Sequence, residues 1–372
     1  MEPASVFALQ VAALRKDLTA EHKRLDTEVT DTGPYGPFAR KLRTDLYKTI
    51  TELDGLVAGS GNGPVISQRR LSALRDRAHN LFGEALTLRI AGFIRDTKVD
   101  EGMCEVADTL LGDLARAVAL EIPYLSTLAE AEFFGASARV IRLRYPAVSI
   151  WDLPVLGHEF GHCFGPMWHL EGALQPYPLK RFLDTQKLGT RTIAEEFFCD
   201  LLATFLLGPS YVYMCVVLRF DPTNSEDSDT HPSDVRRAWW VLRALRLLAD
   251  AATDRSIRSE YHGLADRLTE FWSSYTDKSQ GTPLSDTEDL NSAAEDLFAT
   301  FQLAAPSAAY TDPSAAWGLV YRFERNTPPP VPAGDLRHLL NASWFIRQKD
   351  LTNLEKADRI DKWARQTARR AS

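Results

Sequence analysis

The chain reads LPVLGHEFGHCFGP at residues 153–166, an apolar segment that contains two histidines four residues apart. Gly165-Pro166 cannot continue a helix, so the segment predicts a short helix that stops there. Residues at i and i+4 lie on one face of a helix, and the side chains of His158 and His162 should therefore project together. The sequence indicates that these two imidazoles can share a metal ion, with Glu159 beside the first of them.

The HExxH pattern of these residues suits Zn2+, because neutral imidazole is a preferred zinc ligand. Glu159 follows the first ligand and can reach an open coordination position. There it would take the proton from a bound water, whose pKa zinc brings from about 15.7 to about 7. The competing interpretation is a helix whose histidines are ordinary core or surface residues. A metal site would also need a third ligand elsewhere in the chain.

A second apolar helix is predicted from Thr192 to about Leu207, opened by the capping-box pattern Thr192-Ile193-Ala194-Glu195. In it, Glu196 and Asp200 lie on one face among Phe, Leu and Ala, where two lone carboxylates would be costly to bury. A nearby cation removes that cost. We therefore expect Glu196 to be the third metal ligand, and Asp200 to accept a hydrogen bond that orients a ligating imidazole, that of His158. Glu195 is assigned to the cap.

His169 is the competing third ligand. The motif extends through Gly165, and the metzincin pattern continues to a histidine three residues beyond that glycine. Trp168 occupies this position, so His169 comes one residue late, and Pro166 intervenes. We favour Glu196 and expect His169 in a loop near the cleft.

The motifs resemble those of the gluzincin metallopeptidases, and within them the branch of the CAAX prenyl-protein endopeptidases and the related bacterial heat-shock membrane proteases. The resemblance rests on His158-Glu159-x-x-His162, on Glu196-x-x-x-Asp200, and on Thr230-His231-Pro232 followed by Arg237. It implies that His231 and Arg237 face the substrate carbonyl and stabilise the oxyanion. It extends only from the strand near Ala138 to the helix that begins near Val235.

The named relatives carry several membrane-spanning helices, whereas this sequence predicts none. Leu201–Leu218 has no charged residue and just reaches the length of a membrane span. Gly208-Pro209 interrupts the stretch, which we therefore interpret as two buried helical pieces. The expected substrate is a peptide or protein in solution.

Charge and cysteine content narrow the remaining possibilities. The net charge of the 372 residues is -7, which argues against nucleic acid as a partner, since phosphate binding depends on clustered Lys and Arg. The N-terminus has no basic segment before its apolar residues and does not predict a signal peptide. The four cysteines lack disulfide or zinc-site spacing. Together these features favour a cytoplasmic protein.

The expected fold is mainly α, of the α+β type, with a zincin-like helical core and a small β-sheet. Residues 1–100 should form an N-terminal helical region that can dock a protein partner. Residues 101–275 should form the zincin-like metallopeptidase core, and residues 276–372 a C-terminal helical region. Alternation at residues 138–145 predicts a strand that borders the cleft and can pair with an extended peptide.

The sequence thus predicts a zinc-dependent metallopeptidase that hydrolyses peptide bonds with Glu159 as general base. One alternative is a catalytically silent helical interaction protein with a structural zinc. Glu159 argues against it, because structural sites fill the fourth position with protein and need no base. Another alternative is a zinc hydrolase of a non-peptide amide or ester, which the sequence leaves open.

Overall fold

A computed structural model describes residues 3–28, 35–58, 64–120, 125–129, 133–135, 140–144, 149–168, 178–185, 188–279, 284, 288–325 and 335–369. The chain divides into two compact units. The first comprises residues 1–101 and 123–144, and the second comprises residues 102–122 and 145–372. The described part of the expected C-terminal region, 276–372, therefore belongs to the same unit as the HExxH helix.

The first unit contains three long helices, α1 (Pro3–Glu28), α2 (Gly36–Ala58) and α3 (Pro64–Thr97). Their apolar residues recur every three or four positions and form one continuous core. The region expected to be helical, residues 1–100, thus consists of helices in most of its described residues.

The same unit contains a three-stranded sheet of order β1-β3-β2, built from β1 (Leu125–Ala129), β2 (Phe133–Gly135) and β3 (Val140–Arg144). β1 pairs with β3 in parallel and β2 pairs with β3 antiparallel. β3 lies within the alternating stretch 138–145, and its Ile141 and Leu143 side chains are buried. The placement of this strand beside a substrate cleft stays a prediction.

The second unit is helical in its described residues. Its α-helices are α4 (Met103–Ala117), α5 (Val155–Phe164), α6 (Pro178–Thr185), α7 (Arg191–Leu207), α8 (Pro209–Tyr213), α9 (Asp234–Ala251), α10 (Arg255–Ser279), α11 (Glu288–Ala304), α12 (Ser314–Glu324), α13 (Leu336–Arg347) and α14 (Leu354–Arg369). A π-helical turn, Met214–Arg219, continues α8. The expectation of a mainly helical protein is confirmed.

Helix α7 is the central element of the second unit. It packs against α5, α6, α9 and α11, and every residue from Phe197 to Leu207 is buried. Asp200 is the one charged residue from Phe197 to Leu207, and a helix that is apolar on nearly all sides must be enclosed by its neighbours. As a result, the carboxylates of Glu196 and Asp200 are buried too.

The start of α7 differs from the expected capping box. Thr190, not Thr192, is the N-cap, and its side chain accepts a hydrogen bond from the Ile193 amide at 3.3 Å. Gly189 just before it has a φ of 132°, which only glycine adopts without strain, and this turn sets where the helix begins. Glu195 is consequently not a capping residue, and its carboxylate lies 3.4 Å from Arg191 Nε.

The apolar stretch Leu201–Leu218 is broken where the sequence predicts. α7 ends at Leu207, Gly208 has a φ of 61°, and Pro209 begins α8. Across the described residues, no helix has both the length and the apolar character needed to span a membrane.

Candidate metal centre

The candidate site lies where α5 crosses α7, and glycine permits the close approach of these helices. A Cβ atom on Gly161 would lie 2.9 Å from Cys199 Sγ and 3.0 Å from Cys199 Cα, and one on Gly157 would lie 2.6 Å from Leu207 Cδ1. Both positions are too crowded for a side chain unless the neighbouring atoms move. The two glycines therefore let the helix that carries the histidines approach the helix that carries Glu196.

Three predicted ligands meet at this crossing. His158 Nε2 lies 3.2 Å from Glu196 Oε2, His162 Nε2 lies 3.1 Å from Glu196 Oε1, and the two Nε2 atoms are 3.2 Å apart. One donor atom from each residue lies within 4.8 Å of the others, as binding to one ion requires. The side chains of His158 and Glu196 are buried, whereas that of His162 is 26% exposed. The group is thus enclosed on one side and reached by solvent on the other.

The chemistry of these atoms calls for a cation among them. His158 Nδ1 lies 2.8 Å from the buried carboxylate of Asp200, so it carries the imidazole proton. In the neutral ring, Nε2 then presents a lone pair toward a carboxylate oxygen and a second imidazole nitrogen. Glu196 Oε2 is itself buried and accepts no hydrogen bond. The lone pair of His158 Nε2 and the negative charge of Glu196 repel each other. A proton or a metal ion between them removes this repulsion.

The pKa values of the ligands show how strongly the cluster attracts positive charge. Burial lowers the pKa of His158, but the carboxylates of Asp200 and Glu196 raise it to about 10. Burial raises the pKa of Glu196, but His158 and His162 hold it far below its ordinary range. The cluster therefore favours the binding of a proton or of another cation.

Asp200 joins the cluster to two further side chains. Its Oδ1 accepts hydrogen bonds from His158 Nδ1 at 2.8 Å, from the Tyr211 hydroxyl at 2.6 Å and from Arg237 Nη2 at 2.8 Å. Its Oδ2 accepts from Arg237 Nε at 2.8 Å. Burial raises the pKa of Asp200, but Arg237 and His158 hold it well below its usual value. Asp200 therefore remains a carboxylate at full burial.

Arg237 reaches the site from α9, and its role toward a substrate carbonyl stays a prediction. Its Nε and Nη2 atoms both donate to Asp200, and its guanidinium lies over the ring of Phe220, 5.0 Å from the ring centre. Its Nη2 is 3.9 Å from Glu196 Oε2. Arg237 thus contacts both carboxylates of α7 that belong to the candidate site.

His231 lies on the open side of the site, in the loop before α9. Its Nε2 is 3.8 Å from Glu196 Oε1, and its side chain is 58% exposed. Its Nδ1 is 2.8 Å from the hydroxyl of Thr230, which can donate to it and so leave the ring proton on Nε2. His231 thus presents a hydrogen-bond donor next to the ligand group.

A cavity of about 290 Å³ opens beside His231. It is lined by Asn224, Glu226, Ser228, His231, Pro232, Asp234 and Arg237. Because His231 and Arg237 belong to the cavity wall and also lie beside the ligand group, the cavity adjoins the candidate metal centre.

Glu159 is buried on α5 directly after His158, and its side chain is oriented differently from that of the ligand before it.

Burial, together with the negative charges of Glu196, Asp200 and Glu159, raises the pKa of the Cys199 thiol well above its ordinary value. Cys199 therefore remains a neutral thiol and cannot act as a nucleophile or as a thiolate ligand. Cys163 is buried as well.

Two further residues complete the comparison of the site with its prediction. His169, the competing third ligand, lies outside the described residues. Tyr211 was not predicted at all, although it donates to Asp200 from the helix that follows the Gly208-Pro209 break. Gly208-Pro209 signals the end of α7, but it does not specify the direction of the chain that brings Tyr211 back to Asp200.

Comparisons with protein-family models, with curated proteins and with solved structures give no match for this chain.

Proposed function

We propose that this chain is a zinc-dependent metallopeptidase whose metal ion is bound by His158, His162 and Glu196. The observation that supports it most is the convergence of their three ligand atoms within 4.8 Å, where the buried Oε2 atom of Glu196 accepts no hydrogen bond. Two imidazoles and one carboxylate on preformed helices are typical of catalytic zinc, which keeps a fourth position open. Zinc bound there would supply a Lewis acid that polarises a carbonyl and acidifies a water.

The residues of the chain divide the remaining tasks. Asp200 keeps the proton of His158 on Nδ1, so that Nε2 stays available as a ligand atom. Glu159 accepts the proton of the attacking water at its carboxylate and delivers it to the leaving amine. His231 offers its Nε2 proton to the developing oxyanion on the open side. Arg237 balances the charge of Asp200.

The substrate we propose is a peptide or a protein segment. The cavity beside His231 would give access to the ligand group, and His162 itself is 26% exposed. A bond held there would lie next to both the ligand group and the proposed oxyanion donor.

Terminal labelling and mass spectrometry of a cell lysate test the proposal. Wild type should generate new peptide termini that Glu159→Gln does not, because the amide is nearly isosteric with the carboxylate but cannot accept the proton of water. Glu195→Gln is the matched control. Glu195 is adjacent to Glu196 in sequence, but its carboxylate contacts Arg191 at the surface. The Glu195→Gln protein should therefore generate the same termini as wild type.

If Glu159→Gln generates the same new termini as wild type, Glu159 is not the general base. If wild type generates no new termini, the peptidase proposal is wrong. Zinc content then separates the alternatives. A zinc-loaded chain that leaves peptides intact would be a hydrolase of another amide or ester, or a protein with a structural zinc, whereas a zinc-free chain would be neither.

A further inference from the structure

We infer that Tyr211 is a positioning residue of the metal centre, acting on the ligand His158 through the carboxylate of Asp200; the inference rests on the proposed zinc site. The Tyr211 hydroxyl donates to Asp200 Oδ1 at 2.6 Å and lies 3.3 Å from His158 Nδ1. It is therefore adjacent to both ends of the hydrogen bond that orients the ligand. The side chain is 1% exposed, so no water replaces this contact.

The geometry around Asp200 shows what the hydroxyl contributes. Arg237 binds both carboxylate oxygens and so fixes the plane of the group, but it carries a charge of its own. Tyr211 is a neutral donor to Oδ1, the oxygen that faces His158. It holds this oxygen in line with Nδ1 without adding charge, and a metal-ligating histidine depends on such a partner for its ring orientation.

The fold places Tyr211 there by means of the helix break. Gly208 has a φ of 61°, and a Cβ atom on it would lie 2.6 Å from the ring of Tyr310, so only glycine fits. Pro209 then starts α8 in a new direction. Asn341 on α13 holds both sides of the break, because its Nδ2 donates to the Leu207 carbonyl at 2.8 Å and its Oδ1 accepts from the Ser210 amide at 3.0 Å.

Asn341 is completely buried, and a buried amide that bonds to two backbone groups fixes their relative position. The break therefore has one defined geometry, and Tyr211, three residues beyond Gly208, returns to contact the helix that precedes it. The interruption of the apolar stretch is in this way part of the construction of the site.

The test compares zinc binding by Tyr211→Phe and Tyr213→Phe at pH 7.5, measured by competition with a chromophoric chelator. Tyr213 is the matched control, because it is also buried on α8 and donates its hydroxyl to Gln348, away from the ligands. Tyr211→Phe should weaken zinc binding about tenfold, the lower end of the range for partners of metal ligands. Tyr213→Phe should stay within about twofold of wild type.

A double-mutant cycle with Asp200→Asn separates positioning from a purely structural role. If Tyr211 acts through Asp200, Tyr211→Phe should have little further effect on zinc affinity in the Asp200→Asn background, because coupled residues are not additive. Cobalt-substituted Tyr211→Phe should also show a shifted d–d absorption spectrum, and Tyr213→Phe should not.

Equal zinc affinities for Tyr211→Phe and wild type would overturn the inference and leave the zinc proposal intact. Additive effects in the cycle, or a Tyr211→Phe protein that does not fold, would make Tyr211 a structural residue and overturn it as well. If wild type binds no zinc, the proposed function and this inference both fall.

Discussion

Asp200 is the residue at which the charges of the candidate site balance. Its carboxylate is fully buried, and a buried charge costs several kcal/mol unless a partner of opposite charge accompanies it. Arg237 is that partner, with two hydrogen bonds of 2.8 Å. The charge of Glu196 would then remain for the cation of the proposed metal centre.

Arg237→Ala should therefore lower the free energy of unfolding by about 3–5 kcal/mol and also weaken zinc binding, because it leaves Asp200 buried without a partner. Arg236→Ala is the control. Its guanidinium pairs with Asp227 in a partly exposed ion pair, and its loss should cost only about 1 kcal/mol. Urea denaturation and zinc content measure both effects. Equal losses in the two variants would show that the Arg237 pair is not needed.

His231→Ala, unlike Arg237→Ala, should affect catalysis and not stability or zinc binding. We expect unchanged stability and zinc content but a turnover rate lowered about a hundredfold to a thousandfold, because the His231 side chain is 58% exposed and its Nε2 is the proposed oxyanion donor. His262→Ala, which removes an exposed histidine bonded to Asp250, should leave turnover unchanged. The zinc content of each variant is measured first, and steady-state kinetics then give its turnover rate. Loss of zinc from His231→Ala would make this histidine a ligand.

At this scale, helix periodicity alone brings His158 and His162 together and places Glu196 on the same face as Asp200, because side chains four residues apart must share a face. The orientation of Arg237 could not be predicted in the same way. A long side chain near a site can face the substrate or a buried carboxylate, and only the three-dimensional surroundings decide. The contact of Tyr211 depends on the direction of the chain after Gly208, which no local pattern specifies.

The interface between α5 and α7 is the element-scale feature on which the site depends. Glycines on α5 at positions 157 and 161 face Ala203 and Cys199 on α7, and the ligands extend from the same two helices. Any increase in the spacing of these helices would separate His162 from Glu196.

Gly161→Ala should destabilise the protein by about 1–3 kcal/mol, since its methyl group would overlap Cys199 and force the helices apart. Zinc affinity should fall with it. Gly318→Ala, in α12 with no atom within 4 Å of the new methyl, should instead be neutral or stabilising by up to about 1 kcal/mol. Thermal melts and chelator competition measure the two quantities. Wild-type affinity in Gly161→Ala would mean that the helix spacing does not control the site.

Helix ends were harder to predict than helices. Thr190 and Thr192 are equivalent as capping residues, and the positive φ of Gly189 selects the first. By contrast, the end of α7 at Gly208-Pro209 was predictable, because proline removes a hydrogen-bond donor and prevents the helix from continuing.

Within the second unit, Asp113 joins elements that are distant in sequence. Its Oδ2 accepts the amide of Leu336 at 2.7 Å, at the start of α13, and its other oxygen contacts Arg116. Burial raises the pKa of Asp113 to about 6, with Asp335 nearby adding to the effect. In the unfolded chain the same carboxyl has its ordinary pKa of 3.8.

Between pH 4 and 6 the folded state therefore holds a proton that the unfolded state has released, so the free energy of unfolding falls as pH rises through this window. Asp113→Asn keeps an acceptor for Leu336 and cannot ionise. At pH 7.5 it should be about 1–2 kcal/mol more stable than wild type, with the difference vanishing near pH 4. Asp296→Asn, on the exposed face of α11, is the control. Denaturation midpoints of the three proteins at several pH values test this account. An Asp113→Asn protein that is less stable than wild type at pH 7.5 would contradict it.

On the scale of the whole molecule, apolar periodicity predicts a mainly helical chain and a helical region at residues 1–100. It could not predict that the described residues of 276–372 pack in the unit that carries the HExxH helix. Such packing depends on contacts like that of Asp113 with Leu336, 223 residues apart. Secondary structure is encoded locally, whereas the partner of each buried face is not.

The most direct test of the metal centre is the zinc content of the purified, untagged protein by elemental analysis, with Glu196→Ala and Glu195→Ala beside it. Wild type and Glu195→Ala should hold about one zinc per chain, because both keep two imidazoles and the buried carboxylate. Glu196→Ala should lose most of it. A wild-type zinc content near zero that added metal does not restore, or a Glu196→Ala protein that retains its zinc, would contradict the site described here.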